Sequence, residues 1–195
     1  MRRSRRATEG VAGDRGVGPG RRLRVPAGDV VRPTSDRVKE AVFSALDSRD
    51  RIAGASVLDL WAGSGALAIE ALSRGADRAV MVERDAEAVA AVRANLDACG
   101  FARVSRVIGA DVVSLLQGPA PPEGPFDLVV ADPPYRGSED TLGEVLVALG
   151  AKGWVAEEAM VVFECRSGAA PSVPEPWRVV WERSFGDTLV LFLTG

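Results

Sequence analysis

The chain has 195 residues, 47% of them hydrophobic and 26% charged, which predicts one domain able to bury a sizeable core. It holds no histidine, which excludes a Ser-His-Asp triad, a Cys-His dyad and a histidine-ligated metal. Its two cysteines, Cys99 and Cys165, form no CxxC pair, which argues against a zinc cluster and a disulfide framework. No 18-residue apolar run occurs and no apolar leader follows Met1-Arg-Arg-Ser-Arg-Arg6, so a soluble, cytoplasmic protein with no membrane or metal partner is expected.

The net charge of −3 is unevenly placed. Residues 1–40 carry 11 basic against 5 acidic side chains, and the remainder 13 against 22. A basic arm ahead of an acidic body suits a polyanionic partner. Residues 1–20, rich in Gly and Arg, have almost nothing to bury and are expected to be disordered. Arg21, Arg22 and Arg24 open a segment over 21–50 and are candidates for phosphate contact with RNA.

Val38, Val42, Phe43 and Leu46 form a stripe at helical spacing, predicting an amphipathic helix over 35–48. Thr34 or Ser35 would cap it, with Asp36 in its first turn. Ser56-Val-Leu-Asp-Leu60 predicts a short strand, then a glycine loop and a helix over about 65–74. A strand at 79–82, a helix over 86–98 and a strand at 104–108 follow. The chain continues with a strand at 126–131, a helix over 139–149, and strands at 160–163, 178–181 and 188–193. Pro-rich stretches at 119–125 and 171–176 read as surface loops. Alternating strands and helices predict βαβ units. The fold class is α/β: a single doubly wound, mostly parallel seven-stranded sheet over residues 51–195. The last two strands are joined only by Phe185-Gly186-Asp187, too short for a crossover, so one C-terminal strand is expected to be antiparallel.

Ala62-Gly63-Ser64-Gly65 opens a G-x-G-x-x-A pattern between a strand and a helix. Such glycines serve both dinucleotides and S-adenosylmethionine. Asp59 discriminates between them. A carboxylate four residues ahead of Gly63 repels a pyrophosphate but attracts a ligand with a free amino group and a sulfonium. The bland alternative is that Asp59 merely caps the loop. Glu83, with Arg84 beside it, ends the second strand where a carboxylate can accept both ribose hydroxyls. Asp111 follows the third strand and could accept an adenine amino group while Val112 packs on the ring, although an Asp there also suits a helix N-cap.

Asp132-Pro133-Pro134-Tyr135 follows the fourth strand directly. The two prolines stiffen the backbone, remove two N–H donors and free carbonyls to face a cleft. The Asp132 carboxylate and the Pro133 carbonyl can accept the hydrogens of an exocyclic amine, and Tyr135, the chain's single tyrosine, can stack on an extruded base. Without the upstream signals, a plain Pro-Pro turn would be the better reading.

Asp59 to Gly65, Glu83, Asp111 and Asp132 to Tyr135 resemble the ordered motifs of class I S-adenosylmethionine-dependent amino-methyltransferases. Arg32-Pro-Thr34-Ser-Asp-Arg37-Val-Lys-Glu-Ala41, Gly20 to Pro26 and Phe185-Gly-Asp-Thr188 narrow the resemblance to the RsmD family, over roughly residues 20–195. That resemblance implies methylation of N2 of one guanine in small-subunit (16S) ribosomal RNA, with the Arg32–Arg37 segment folded over the cofactor. Thr34 then suits the methionine carboxylate, and Arg32 and Arg37 suit carboxylate or phosphate. The chain departs from the family where Ala12-Gly-Asp-Arg-Gly16 stands in place of a short apolar strand.

A DNA adenine-N6 methyltransferase would use the same Asp-Pro-Pro-Tyr box but needs a base-reading domain that the 60 residues after Tyr135 leave little room for. A protein-glutamine methyltransferase would carry Asn in place of Asp132. From another class, an NAD-dependent oxidoreductase is disfavoured by Asp59 and the missing histidine, and a non-catalytic RNA-binding module has no use for the box. The small reading surface favours a ribonucleoprotein substrate, a partly assembled 30S particle, and a monomer is the default expectation.

Overall fold

The computed structural model describes Leu23 and residues 36–134, 141–168 and 171–195. The basic arm and the expectations at Arg21, Arg22, Arg24, Arg32, Thr34 and Tyr135 lie outside the described residues. In chain order the elements are α1 (Asp36–Asp47), β1 (Ser56–Leu60), α2 (Ala66–Ser73), β2 (Arg78–Glu83), α3 (Ala86–Cys99), β3 (Ser105–Gly109), α4 (Val112–Leu116), β4 (Phe126–Ala131), α5 (Thr141–Ala151), β5 (Val155–Arg166), β6 (Arg178–Phe185) and β7 (Thr188–Thr194).

Every residue of β1 is buried, as the near-continuous apolar run of a strand covered on both faces demands. The seven strands order as β3-β2-β1-β4-β5-β7-β6. All neighbours pair in parallel except β7, which runs antiparallel to both β5 and β6. The expected doubly wound sheet and antiparallel C-terminal strand are both present. The order reverses between β1 and β4, and the ends of those strands therefore frame the crevice where open α/β sheets take ligands.

The alternation of strand side chains divides the core in two. Val57, Met81, Val130 and Val162 face α1, α2 and α3, together with Phe43, Leu72 and Val92. Leu58, Val80, Val129 and Val161 face α4 and α5, together with Leu116 and Leu146. Leu23 packs against the first of these clusters. The Arg74 guanidinium fastens α1 to the end of α2, meeting Glu40 at 2.9 Å, Asp47 at 2.7 Å and Glu70 at 2.7 Å while lying over the Phe43 ring.

Three elements depart from expectation. α4 is a short helix the pattern did not signal, because Val-Val-Ser-Leu-Leu has no period to read. β5 begins five residues earlier than the apolar run at 160–163, through Val155-Ala-Glu-Glu-Ala159, in which Glu157 and Glu158 are exposed. β6 extends to Phe185 with most of its residues exposed, which an edge strand tolerates and a hydrophobicity reading overlooks.

Candidate active site

The glycine loop is set by its backbone. Trp61, Gly63 and Gly65 have φ of 59°, 54° and 78°, a left-handed region that glycine enters without penalty and tryptophan does not. This winding turns the Gly63 N–H onto Glu83, whose Oε2 accepts it at 3.0 Å. Glu83 Oε1 accepts the Asp85 N–H at 2.9 Å, so one carboxylate links the β1–α2 loop to the β2–α3 turn. Asp85 caps α3 through Ala88 N at 2.8 Å. From α3, Asn95 donates to the Ser64 carbonyl at 2.9 Å. Asn95 is 2% exposed, and it holds the loop from beneath.

Asp59 is 1% exposed and accepts the Ala68 N–H at 3.1 Å through Oδ2, which ties β1 to the first turn of α2. The anchoring role weighed as the bland alternative is therefore present. Burial pushes the Asp59 carboxyl up to about 7, the Ala68 N–H pulls it down, and the neighbouring Asp132 and Glu83 add repulsion. Asp59 is thus poised to gain from a cation beside it.

Asp111 caps α4, accepting the Ser114 N–H at 3.1 Å, and meets Arg84 Nη1 at 3.6 Å. The Ser114 N–H first, and the Arg84 guanidinium after it, hold the Asp111 carboxyl below its usual range. Arg84, expected to contact the cofactor, pairs the end of β2 with the residue that follows β3. Val112, expected to pack on the adenine ring, starts α4. It is 2% exposed in the core beside Leu116, which leaves little of its side chain for a ring to rest on.

Asp132 N donates to Leu60 O at 3.4 Å, so the Asp-Pro-Pro turn begins against the end of β1. Asp132 and Pro133 are half-buried and Pro134 is exposed. Ala62 is buried, its N–H donated to Val82 O at 3.0 Å. Arg37 is exposed on α1. Asp59, Glu83, Asp111 and Asp132 thus stand at the ends of four adjacent strands around the switch point.

Two residues escaped sequence reasoning. Asn95 was visible only as a lone amide on a helix. Glu164, a buried acid on β5, follows its apolar run as directly as Asp132 follows β4. Its carboxyl is raised well above the ordinary range by burial and by the nearby Asp132 and Asp59.

The family described as Conserved hypothetical protein 95 matches residues 15–194. The chain is 38% identical over 169 residues to Ribosomal RNA small subunit methyltransferase D of Escherichia coli (strain K12), covering 86% of this chain and 81% of that protein. With the protein of the same name from Haemophilus influenzae it shares 32% identity over 174 residues, covering 88% and 86%. Among solved structures, yhhF from Escherichia coli aligns with a TM-score of 0.75 at 34% identity over 90% of this chain and 92% of the other.

Proposed function

The chain belongs to the Conserved hypothetical protein 95 family, and from that membership we propose that it transfers a methyl group from S-adenosylmethionine to the exocyclic N2 of a guanine in small-subunit (16S) ribosomal RNA. The kinship with the small-subunit rRNA methyltransferases supports the reaction. The carrying observation is the set of acids on adjacent strand ends at the switch point, faced by Asp132-Pro133-Pro134.

The donor set fits the cofactor. S-adenosylmethionine supplies a methyl group on a sulfonium. Asp59, raised by burial, offers its carboxyl to the ammonium of the amino-acid arm. Glu83 uses one lone pair on each oxygen for Gly63 and Asp85, and a carboxylate has about four in all. The remaining pairs can accept the ribose hydroxyls. Asp111 can accept the adenine amine through the oxygen not occupied by Ser114. Thr34 takes the methionine carboxylate, and Ala62 to Gly65 form the floor.

Asp132 and the Pro133 carbonyl accept the hydrogens of the target amine. This orients its nitrogen in line with the methyl group and stabilises it as it becomes tetrahedral and cationic. Tyr135 stacks on the extruded base. Arg21, Arg22, Arg24, Arg32 and Arg37 contact phosphates. The substrate is a partly assembled 30S particle, met by a monomer in the cytoplasm. Among the described residues no helix is long and apolar enough to cross a membrane.

The test is methyl transfer from labelled S-adenosylmethionine to small-subunit particles that lack the modification, followed by nucleoside analysis. N2-methylguanosine is the expected product. N6-methyladenosine overturns the proposal.

A further inference from the structure

One buried acid has no role in the site described so far. Glu164 is 3% exposed, and among the described residues no hydrogen bond or ion pair reaches its carboxyl. The register explains where it sits. β4 and β5 pair Val130 with Val162 and Ala131 with Phe163, so the next step along both chains brings Asp132 beside Glu164. Parallel strands lie about 4.8 Å apart, and the two carboxyls are close enough for Asp132 to act on the Glu164 charge. Alternation puts Glu164 on the same face as Met160 and Val162, the face that also carries Val57 and Asp59 on β1. On its other side β7 sets Val190 opposite Glu164, and Val190 is fully buried.

Glu164 is therefore walled by an apolar strand on one side and faces acids on the other. Asp132 and Asp59 add to the effect of burial in raising its carboxyl. An enclosed carboxyl with no donor or counter-ion among the described residues is held neutral by its surroundings and gains from a ligand that brings donors to it.

The chemistry of the missing partner follows from the pair. Burial and the neighbouring acids favour the protonated form of Glu164. A ligand edge with donors at adjacent positions draws the pair into its ionised form, in which both carboxylates present acceptors only. Three nucleobases carry an exocyclic amine. In adenine the amine is flanked by bare N1, and in cytosine by bare N3, both acceptors that repel a carboxylate. Only in guanine does a ring N–H stand next to the amine. A base taken out of its stack is read on this Watson–Crick edge.

We propose that Glu164 is a specificity-determining residue that accepts the N1–H of the target guanine while Asp132 and Pro133 hold the neighbouring amine. This rests on the function proposed above. It also supplies a reason, internal to the chain, why an Asp-Pro-Pro box suited to any exocyclic amine acts here on guanine.

The experiment uses small-subunit particles reconstituted with rRNA carrying either guanine or 2-aminopurine at the methylated position. 2-Aminopurine keeps the amine and replaces N1–H by a lone pair. The parent enzyme is expected to lose at least about tenfold in kcat/KM on 2-aminopurine, as a site built around a hydrogen bond does when its partner lacks the donor. Glu164→Gln is expected to erase the discrimination, because its amide accepts N1–H through Oε1 and donates to a bare N1 through Nε2, with KM for guanine raised by the loss of the charged acceptor. S-adenosylmethionine affinity and thermal stability of the variant report whether it is folded. The inference is overturned if folded Glu164→Gln discriminates as the parent does. Equal parental rates on the two bases overturn it without any variant. A parent that makes N2-methylguanosine yet ignores N1–H refutes this inference alone. A parent that makes none refutes the proposed function and the inference with it.

Discussion

Gly63 and Gly65 share a left-handed backbone and sit two residues apart, but the structure predicts opposite consequences for adding one methyl group to each. At Gly65 a Cβ would stand 3.2 Å from Val92 Cγ1, 3.5 Å from Met81 Sδ and 3.6 Å from Ile69 Cδ1. Val92 and Met81 are fully buried, so Val92 must shift within a packed core to admit the methyl group. Gly65→Ala therefore adds overpacking of about 1–3 kcal/mol to a left-handed strain of about 1–2 kcal/mol. For a chain of this size that lowers Tm on the order of 10 °C. At Gly63 no described atom lies within 4 Å of the added Cβ. Gly63→Ala bears the strain alone and should cost only a few degrees. The open space at Gly63 is, on the proposed function, the cofactor's place, so this variant should bind S-adenosylmethionine at least about tenfold more weakly, a loss of about 1.4 kcal/mol. Thermal melts of the free protein and calorimetric titration with S-adenosylmethionine measure the two effects separately. If Gly63→Ala binds as the parent does, the cofactor has been put in the wrong place. If both variants melt together, the packing beneath Gly65 is not what holds the loop.

Asp132→Ala should cut the single-turnover rate by about a hundredfold or more with S-adenosylmethionine saturating, since it removes an acceptor needed most in the transition state. A parental rate would reduce the Asp-Pro-Pro segment to a turn. Asn95→Ala strands the Ser64 carbonyl and should cost about 1–3 kcal/mol in urea denaturation; an unchanged midpoint would show that the loop does not depend on it. Asp59 carries a pH signature: its carboxyl rises from 3.8 to about 7 on folding, so the folded state holds the proton more tightly. The stability this confers is fully present below the unfolded value and is lost as pH rises through about 7. Denaturation at pH 5 and pH 8 should therefore show the parent declining with pH and Asp59→Asn declining less, and equal slopes would contradict the burial argument.

Much of the architecture was legible because its signals are local. The stripe from Val38 to Leu46 and the apolar run from Ser56 to Leu60 gave elements within a residue or two of those observed. The glycines and Asp59 announced a loop whose winding follows from residue type. What stayed hidden depends on distant chain. Arg84 faces Asp111 only because β2 and β3 are neighbours, and Val112 is drawn into the core by a helix with no periodic signature. Glu164 looked like the first polar residue past a strand, where solvent is the default. Its burial requires β7 beside it, and no reading of residues 155–166 alone contains that strand.

The position of β7 also orders events during synthesis. It lies between β5 and β6 although it follows both in the chain, so the nascent polypeptide emerges with a gap where its sheet must later close. Until residues 188–194 exist, β5 keeps a bare edge and β6 has no strand to pair with, since its ladder runs entirely to β7. Such an edge invites mispairing with other chains, and its closure is a long-range step late in translation. Val190, which walls Glu164, arrives with that same strand. A chain stalled before β7 would hold the sequence of the glycine loop and the Asp-Pro-Pro turn but lack Val190, the residue opposite Glu164. On the role proposed for Glu164, base reading would thus be the last property this protein acquires as it is made.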